Sequence, residues 1–234
     1  MSLPTIDDIR NGLICSDVKP LADYIDQSGP TEPLRHLTEL IMSCEAFRHN
    51  NGVLMSLISA GAIEDEKRPL LTRRFIYEDD ELFYAAIASG YSISKPEESW
   101  GKTPVHYAVE FPKKLRKLLQ LGAAFDVKDK TGATPMSIAV HRGISESIKI
   151  LVDHGVDPNS RTADWTPLLF ATALSNSISP FVALLSVGAK IDSTDINGYN
   201  IFHWIAIARD PEKLMVIKMS NQAEAARAII NNPD

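Results

Sequence analysis

From about residue 100 onward, apolar and polar positions recur in a fixed order. LLQLGAAFDVKDKTGATP (118–135) ends an apolar segment at a glycine, crosses a short polar loop and restarts with Thr-Pro. The same order returns in ILVDHGVDPNSRTADWTP (150–167) and LLSVGAKIDSTDINGYNI (184–201). The punctuating glycines Gly122, Gly155 and Gly188 lie 33 residues apart, and Gly29, Gly61 and Gly90 continue the series backwards at spacings of 32, 29 and 32. Each part of the phrase has a local physical meaning. Thr is a good helix N-cap, Pro suits the first helical turn, and Gly after an apolar helix end supplies the left-handed closing conformation. Leu118/Leu119, Ile150/Leu151 and Leu184/Leu185 repeat as an apolar stripe on the second helix of each unit. One helix pair cannot bury such a stripe alone, so neighbouring units must stack into a continuous elongated core. The pattern predicts an all-α solenoid.

Three copies of the phrase carry a resemblance to a known family. Thr103-Pro104-Val105-His106-Tyr107-Ala108, Thr134-Pro135-Met136-Ser137-Ile138-Ala139 and Thr166-Pro167-Leu168-Leu169-Phe170-Ala171 resemble the TPLHxA phrase of the ankyrin repeat. Asn200-Ile201-Phe202-His203 keeps the His without Thr-Pro, an irregular start. The resemblance implies one continuous ankyrin-repeat solenoid of about six to seven helix-turn-helix units joined by β-turn loops. Residues 1–95 read as degenerate repeats, 96–209 as well-matched ones, and 210–234 as closing helices with a polar outer side. The unit beginning at Thr103 lacks an inter-helix glycine and has Phe111-Pro112 instead, and the unit beginning at Thr166 has SNSIS before Pro180 and is expected to bulge there.

Composition and charge narrow the function. The chain has 234 residues and a net charge of −6, which argues against a nucleic-acid binder needing a basic face. The acidity is uneven: residues 1–90 hold 15 acidic and 8 basic side chains, the remainder 15 and 16. No apolar run approaches the ~18 residues of a membrane span, and MSLPTIDDIRNGL has no basic flank before an apolar core, so it does not read as a signal peptide. Cys15 and Cys44 stand apart, without CxxC. A reduced, cytoplasmic protein is expected, or one residing in a host cytosol if it is secreted as an effector.

The chemistry-bearing residues offer little to an enzyme. The family resemblance implies that His106 bonds the Thr of its own phrase and braces the loop. His106 and His203 have no nearby nucleophile arrangement in sequence, and His36, His49, His141 and His154 show no metal-ligand spacing. Phosphate-binding glycine loops and metalloprotease motifs are absent. No catalytic residue, metal or cofactor is expected. Lys113, Lys114, Arg116 and Lys117 read as a solvated helix face.

The resemblance further implies a concave binding groove lined by loop tips and first helices. Carried over position by position, it assigns partner binding to Trp100, Lys102, Phe111, Lys130, Arg142, Trp165, Asn197 and Tyr199. Trp and Tyr at such tips are the residue types enriched at interaction hot spots. The expected function is non-enzymatic protein–protein interaction by a monomer, without nucleic acid or membrane insertion. The alternative is an effector or regulatory protein whose repeats direct it to a target, with an unrecognised activity in residues 1–95.

Overall fold

The computed structural model describes residues 73–78, 80–161 and 177–231, with single positions at 8, 11, 12, 55, 58, 166 and 171. Trp165, Gly29, Gly61, the start of the loop expected to bulge before Pro180 (175–176) and most of the expected N-terminal repeats lie outside these residues. Two compact units divide the chain, residues 1–97 and 98–234. In the first, α1 (Arg73–Glu78) and α2 (Asp80–Ala88) bury Phe75, Ile76, Leu82, Phe83 and Ala86.

The second unit is built from helix pairs: α3 (Pro104–Ala108) with α4 (Pro112–Gln120), and α5 (Pro135–Arg142) with α6 (Ser145–Asp153). There follow α7 (Ser179–Ser186), α8 (Ile201–Ala208), α9 (Pro211–Met219) and α10 (Ala223–Asn231). Among the described residues there is no strand, only an isolated antiparallel bridge between Thr194 and Asn200. The all-α solenoid class read from the periodicity is what the chain adopts.

Helix starts fall where the phrase places them. Thr103 and Thr134 are extended N-caps followed by a first-turn proline, and Asn200 caps α8 without one. Phe111 precedes α4 with Pro112 at its first turn, so a rigid Phe-Pro corner replaces the missing glycine. Leu115 and Leu118 of α4, Ile148 and Leu151 of α6, and Phe181 and Leu184 of α7 form the buried stripe. Ala108 and Ala139 are fully buried, because a methyl group is all the space that the close helix approach leaves.

Helix ends follow one scheme. Gly122, Gly155 and Gly188 have φ of 84, 106 and 90°, and each is followed by a residue whose N–H reaches back five positions (Ala123 to Leu118, Val156 to Leu151, Ala189 to Leu184). At the end of α8 the same left-handed position is held by Arg209 at φ 53°, with Asp210 N–H bonding Ile205 C=O. A side chain there is strained, so Arg209→Gly is expected to raise stability by about 1 kcal/mol. An unchanged or lower urea midpoint would contradict this.

Two expectations need correction. Lys114 is not on a solvated face: it is buried, its Nζ 5.2 Å from the Phe111 ring centroid, because α4 turns that side of its first turn inward. The outer side of the last helix pair is mixed rather than polar, with exposed Glu212, Lys218, Glu224 and Arg227 standing among exposed apolar side chains. α9 turns Lys213 and Ile217 inward, one helical turn apart, which leaves Leu214, Met215 and Met219 exposed, Met219 at 85%.

Candidate protein-binding surface

Loop tips between helix pairs are set by a buried aspartate. Asp129 Oδ1 accepts from Thr131 N–H (2.8 Å), Thr131 Oγ1–H (2.5 Å) and Ala133 N–H (3.0 Å). Asp129 N–H in turn reaches Ala133 C=O at 2.9 Å, closing the turn. Asp195 repeats the arrangement: Oδ1 accepts from Asn197 N–H (2.8 Å) and Tyr199 N–H (2.9 Å), and Oδ2 accepts from Trp204 Nε1–H (3.1 Å). Both carboxylates point inward, and the residues between are turned outward. Burial raises the pKa of Asp129, but the bonds from Thr131 and Ala133 outweigh it and hold the carboxyl below its usual value.

Consecutive tips are tied to one another. Lys130 N–H donates to Trp100 C=O at 2.9 Å, and Lys130 Nζ donates to the Glu98 carbonyl. Gly101 makes this approach possible: a Cβ there would lie 3.1 Å from Lys130 Cγ and 3.3 Å from Lys130 N, at a φ of 69°. His106 links the same two units from below. Its Nδ1 accepts from Thr103 N–H (3.0 Å) and Thr103 Oγ1–H (2.8 Å), and its Nε2 lies 3.2 Å from Ala133 C=O. The ring is therefore neutral and carries its proton on Nε2. The brace within the phrase is present, and it also crosses to the next loop. Burial lowers the pKa of His106, against the raising influence of the Ala133 carbonyl and Asp129.

The eight sequence-assigned binding residues are placed as follows. Trp100 is 60% exposed on its tip, and Tyr199 is 43% exposed. Tyr199 has company: it stacks on His203 at 5.4 Å and meets Trp204 edge-on at 6.1 Å. Lys102 Nζ is 5.9 Å from the Tyr107 ring centroid, and exposed Asn197 stands on the 195–199 tip. Phe111 is half-buried under Lys114. Arg142 Nε bonds Glu110 Oε1 at 3.4 Å between α5 and the corner after α3. Trp100, Lys102 and Lys130 thus share one pair of linked tips, while Asn197 and Tyr199 occupy another. Trp165 falls outside the described residues. Among those residues no group of three His, Cys, Asp or Glu side chains is placed to hold a metal, and no helix is long and apolar enough to cross a membrane.

The family described as ankyrin repeats, in three copies, matches residues 75–162 and 105–195, together just over half of the chain. The chain belongs to the ankyrin-repeat family. Ankyrin repeats are in general protein–protein interaction modules and typically non-enzymatic. The chain is similar to the inactive serine/threonine-protein kinase TEX14 of Bos taurus, 30% identical over 118 residues, covering 50% of this chain and 8% of that protein. It is similar to neurogenic locus notch homolog protein 1 of Homo sapiens, 25% identical over 66% of this chain and 6% of that protein. Ankyrin repeat domain-containing protein 63 of Homo sapiens is 30% identical over 42% of this chain and 28% of its own length. These matches span less than a third of each relative.

Some of this ankyrin-repeat scaffold was missed in the sequence. Asp129 and Asp195 share a legible signal, since DKTGA and DINGY place an Asp three residues before the tip glycine. Asn159 and Gln222 have no such signal. Asn159 donates to Gly188 C=O (3.4 Å) and accepts from Lys190 N–H (2.8 Å), while Gln222 donates to Ala189 C=O (2.7 Å) and accepts from Ile191 N–H (3.2 Å). Two side-chain amides thus satisfy loop backbone at 188–191 that lies outside any helix.

Proposed function

We propose that this protein is a non-enzymatic interaction module that holds another protein on its loop tips and first helices, with Trp100, Lys102, Lys130, Asn197 and Tyr199 at the described part of the surface. The observation that carries this reading is the exposure of Trp100 on a tip whose Trp100 carbonyl is bonded by Lys130 N–H, at the close approach Gly101 allows, from the neighbouring tip that Asp129 fixes. A rigid platform presenting a large aromatic loses little conformational entropy on binding. Phe111 and Arg142 extend the surface onto the corners after α3 and α5, and Trp165 joins the proposed set on the family resemblance. General family behaviour supports the same role. The absence of a cysteine framework supports a reducing compartment.

The test is partner capture by the full chain against a variant with Trp100, Trp165 and Tyr199 all changed to Ala. Each anchoring aromatic contributes about 2 kcal/mol, so capture should be lost while the helical circular dichroism is unchanged. Capture that survives with native helicity would remove these tips from the site.

A further inference from the structure

The tips at 129–133 and 195–199 share one frame and differ at one chemically important position. In each, the aspartate Oδ1 accepts from the backbone N–H groups two and four residues on. A glycine three residues on has positive φ, 82° at Gly132 and 80° at Gly198. The residue before that glycine is Thr131 in one tip and Asn197 in the other. Thr131 ties its hydroxyl to Asp129 Oδ1 at 2.5 Å. Among the described residues, nothing holds the Asn197 side-chain amide by a hydrogen bond. Ile196, Asn197 and Gly198 are all exposed, so water reaches the whole segment.

An asparagine amide carbon is an electrophile, and the nitrogen of the following peptide reaches it in a five-membered ring. A side chain on the following residue crowds that approach. Gly198 has none, and even a Cβ there would meet nothing within 4 Å. The Gly198 N–H is held by Asp195 C=O at 3.1 Å, against 2.9 Å for the matching bond at Gly132. Attack therefore waits on the local opening of one exposed bond. Asn200, three residues on, lacks both features. Its Oδ1 accepts from Phe202 N–H and His203 N–H, and the residue after it is the buried, β-branched Ile201.

We infer that Asn197 is a self-modification site, whose side-chain amide is lost through a succinimide. Gly198 N attacks Asn197 Cγ and gives its proton to water. The Cγ–Nδ2 bond breaks, and Nδ2 takes up a proton and leaves as ammonia. Water then opens the ring. Addition at Cγ leaves an ordinary aspartyl residue, and addition at the main-chain carbonyl leaves an isoaspartyl link whose chain is one carbon longer. One water enters, one ammonia leaves and no oxidation state changes. Either product places a new carboxylate two residues from Asp195. The longer link also draws Tyr199 N–H away from Asp195 Oδ1 (2.9 Å), and with it the ring that stacks on His203. On the interaction reading above, ageing withdraws this part of the surface; the chemical step stands without that reading.

Ageing the full chain in neutral buffer, followed by trypsin and mass spectrometry, tests this. Cleavage after Lys190 and Arg209 leaves Asn197 and Asn200 on one peptide. The expected result is exchange of NH2 for OH at Asn197 with Asn200 intact, and methylation of the product by an isoaspartate methyltransferase. The Tyr199 amide should exchange its hydrogen about tenfold faster or more in the isoaspartyl chain, with the 129–133 tip unchanged. Asn197→Thr, which copies that tip, should show neither change. An intact Asn197, or one converting no faster than Asn200, would overturn the site. Conversion with unchanged exchange at Tyr199 would overturn its effect on the tip. Partner capture that survives in the triple aromatic variant would remove the interaction reading and leave this site standing.

Discussion

Asp210→Ala is expected to loosen the last helix pair by about 3 kcal/mol or more, whereas Lys213→Met should cost under about 1.5 kcal/mol. Lys213 is 1% exposed, and its Nζ lies 3.0 Å from Asp210 Oδ2, one helical turn back. Removing the carboxylate takes away the ammonium's ion-pair partner in a site with little access to water, so its desolvation is compensated less well. Removing the ammonium instead leaves a partly exposed carboxylate that water can solvate, and methionine fills much of the same volume. Asp210 precedes α9 but makes no side-chain capping bond, so lost capping does not confuse the comparison. Hydrogen exchange of the 211–231 amides is the measurement, because stability in a repeat stack varies along its length. Equal effects of the two substitutions would show that the pair is not held by this asymmetry.

His106→Ala should cost about 2–3 kcal/mol, because it leaves a buried Thr103 N–H without its partner and takes from the Ala133 carbonyl one of its two bonds. His106→Ser should cost less. In the next unit Ser137 accepts from Thr134 N–H at 2.9 Å and returns a bond to Thr134 C=O at 2.9 Å, so a hydroxyl can serve the cap. Only the bond across to the next loop is then lost.

The histidine also makes stability depend on pH, in a definite direction. Protonation would place a hydrogen on Nδ1 facing Thr103 N–H, a donor against a donor. Burial, with a smaller push from Lys102, depresses the folded-state pKa below the ordinary 6.5, against the raising influence of the Ala133 carbonyl and Asp129. Below about 6.5 the unfolded chain takes up a proton that the folded one resists. The stabilisation is complete above that value and is lost as pH falls through the folded pKa. Wild type should lose more stability between about pH 7.5 and 5 than His106→Ser, read from urea midpoints. Parallel profiles would show that His106 does not carry the dependence. Asp129 adds stability that disappears only below its ordinary 3.8, outside this window.

Local signals in the sequence determined the repeat. Thr-Pro before α3 and α5, the glycines after α4, α6 and α7, and the leucine stripe each act within one turn or one helix. Their period alone requires stacking, since a single pair cannot bury its stripe. The candidate surface was legible to the extent that tip positions follow from the family resemblance: Trp100 and Tyr199 are exposed where that placement put them.

Tertiary structure decided what depends on contacts about a repeat away. His106 reaches Ala133 across 27 residues, and Asn159 and Gln222 bond the 188–191 backbone across 29 to 33. No local pattern records such partners, because they come together only when units stack. The same holds for charge: Lys114 and Lys213 look like surface lysines in sequence, yet both are buried. Helix direction and neighbouring units, rather than residue type, determine which side of a helix loses its water.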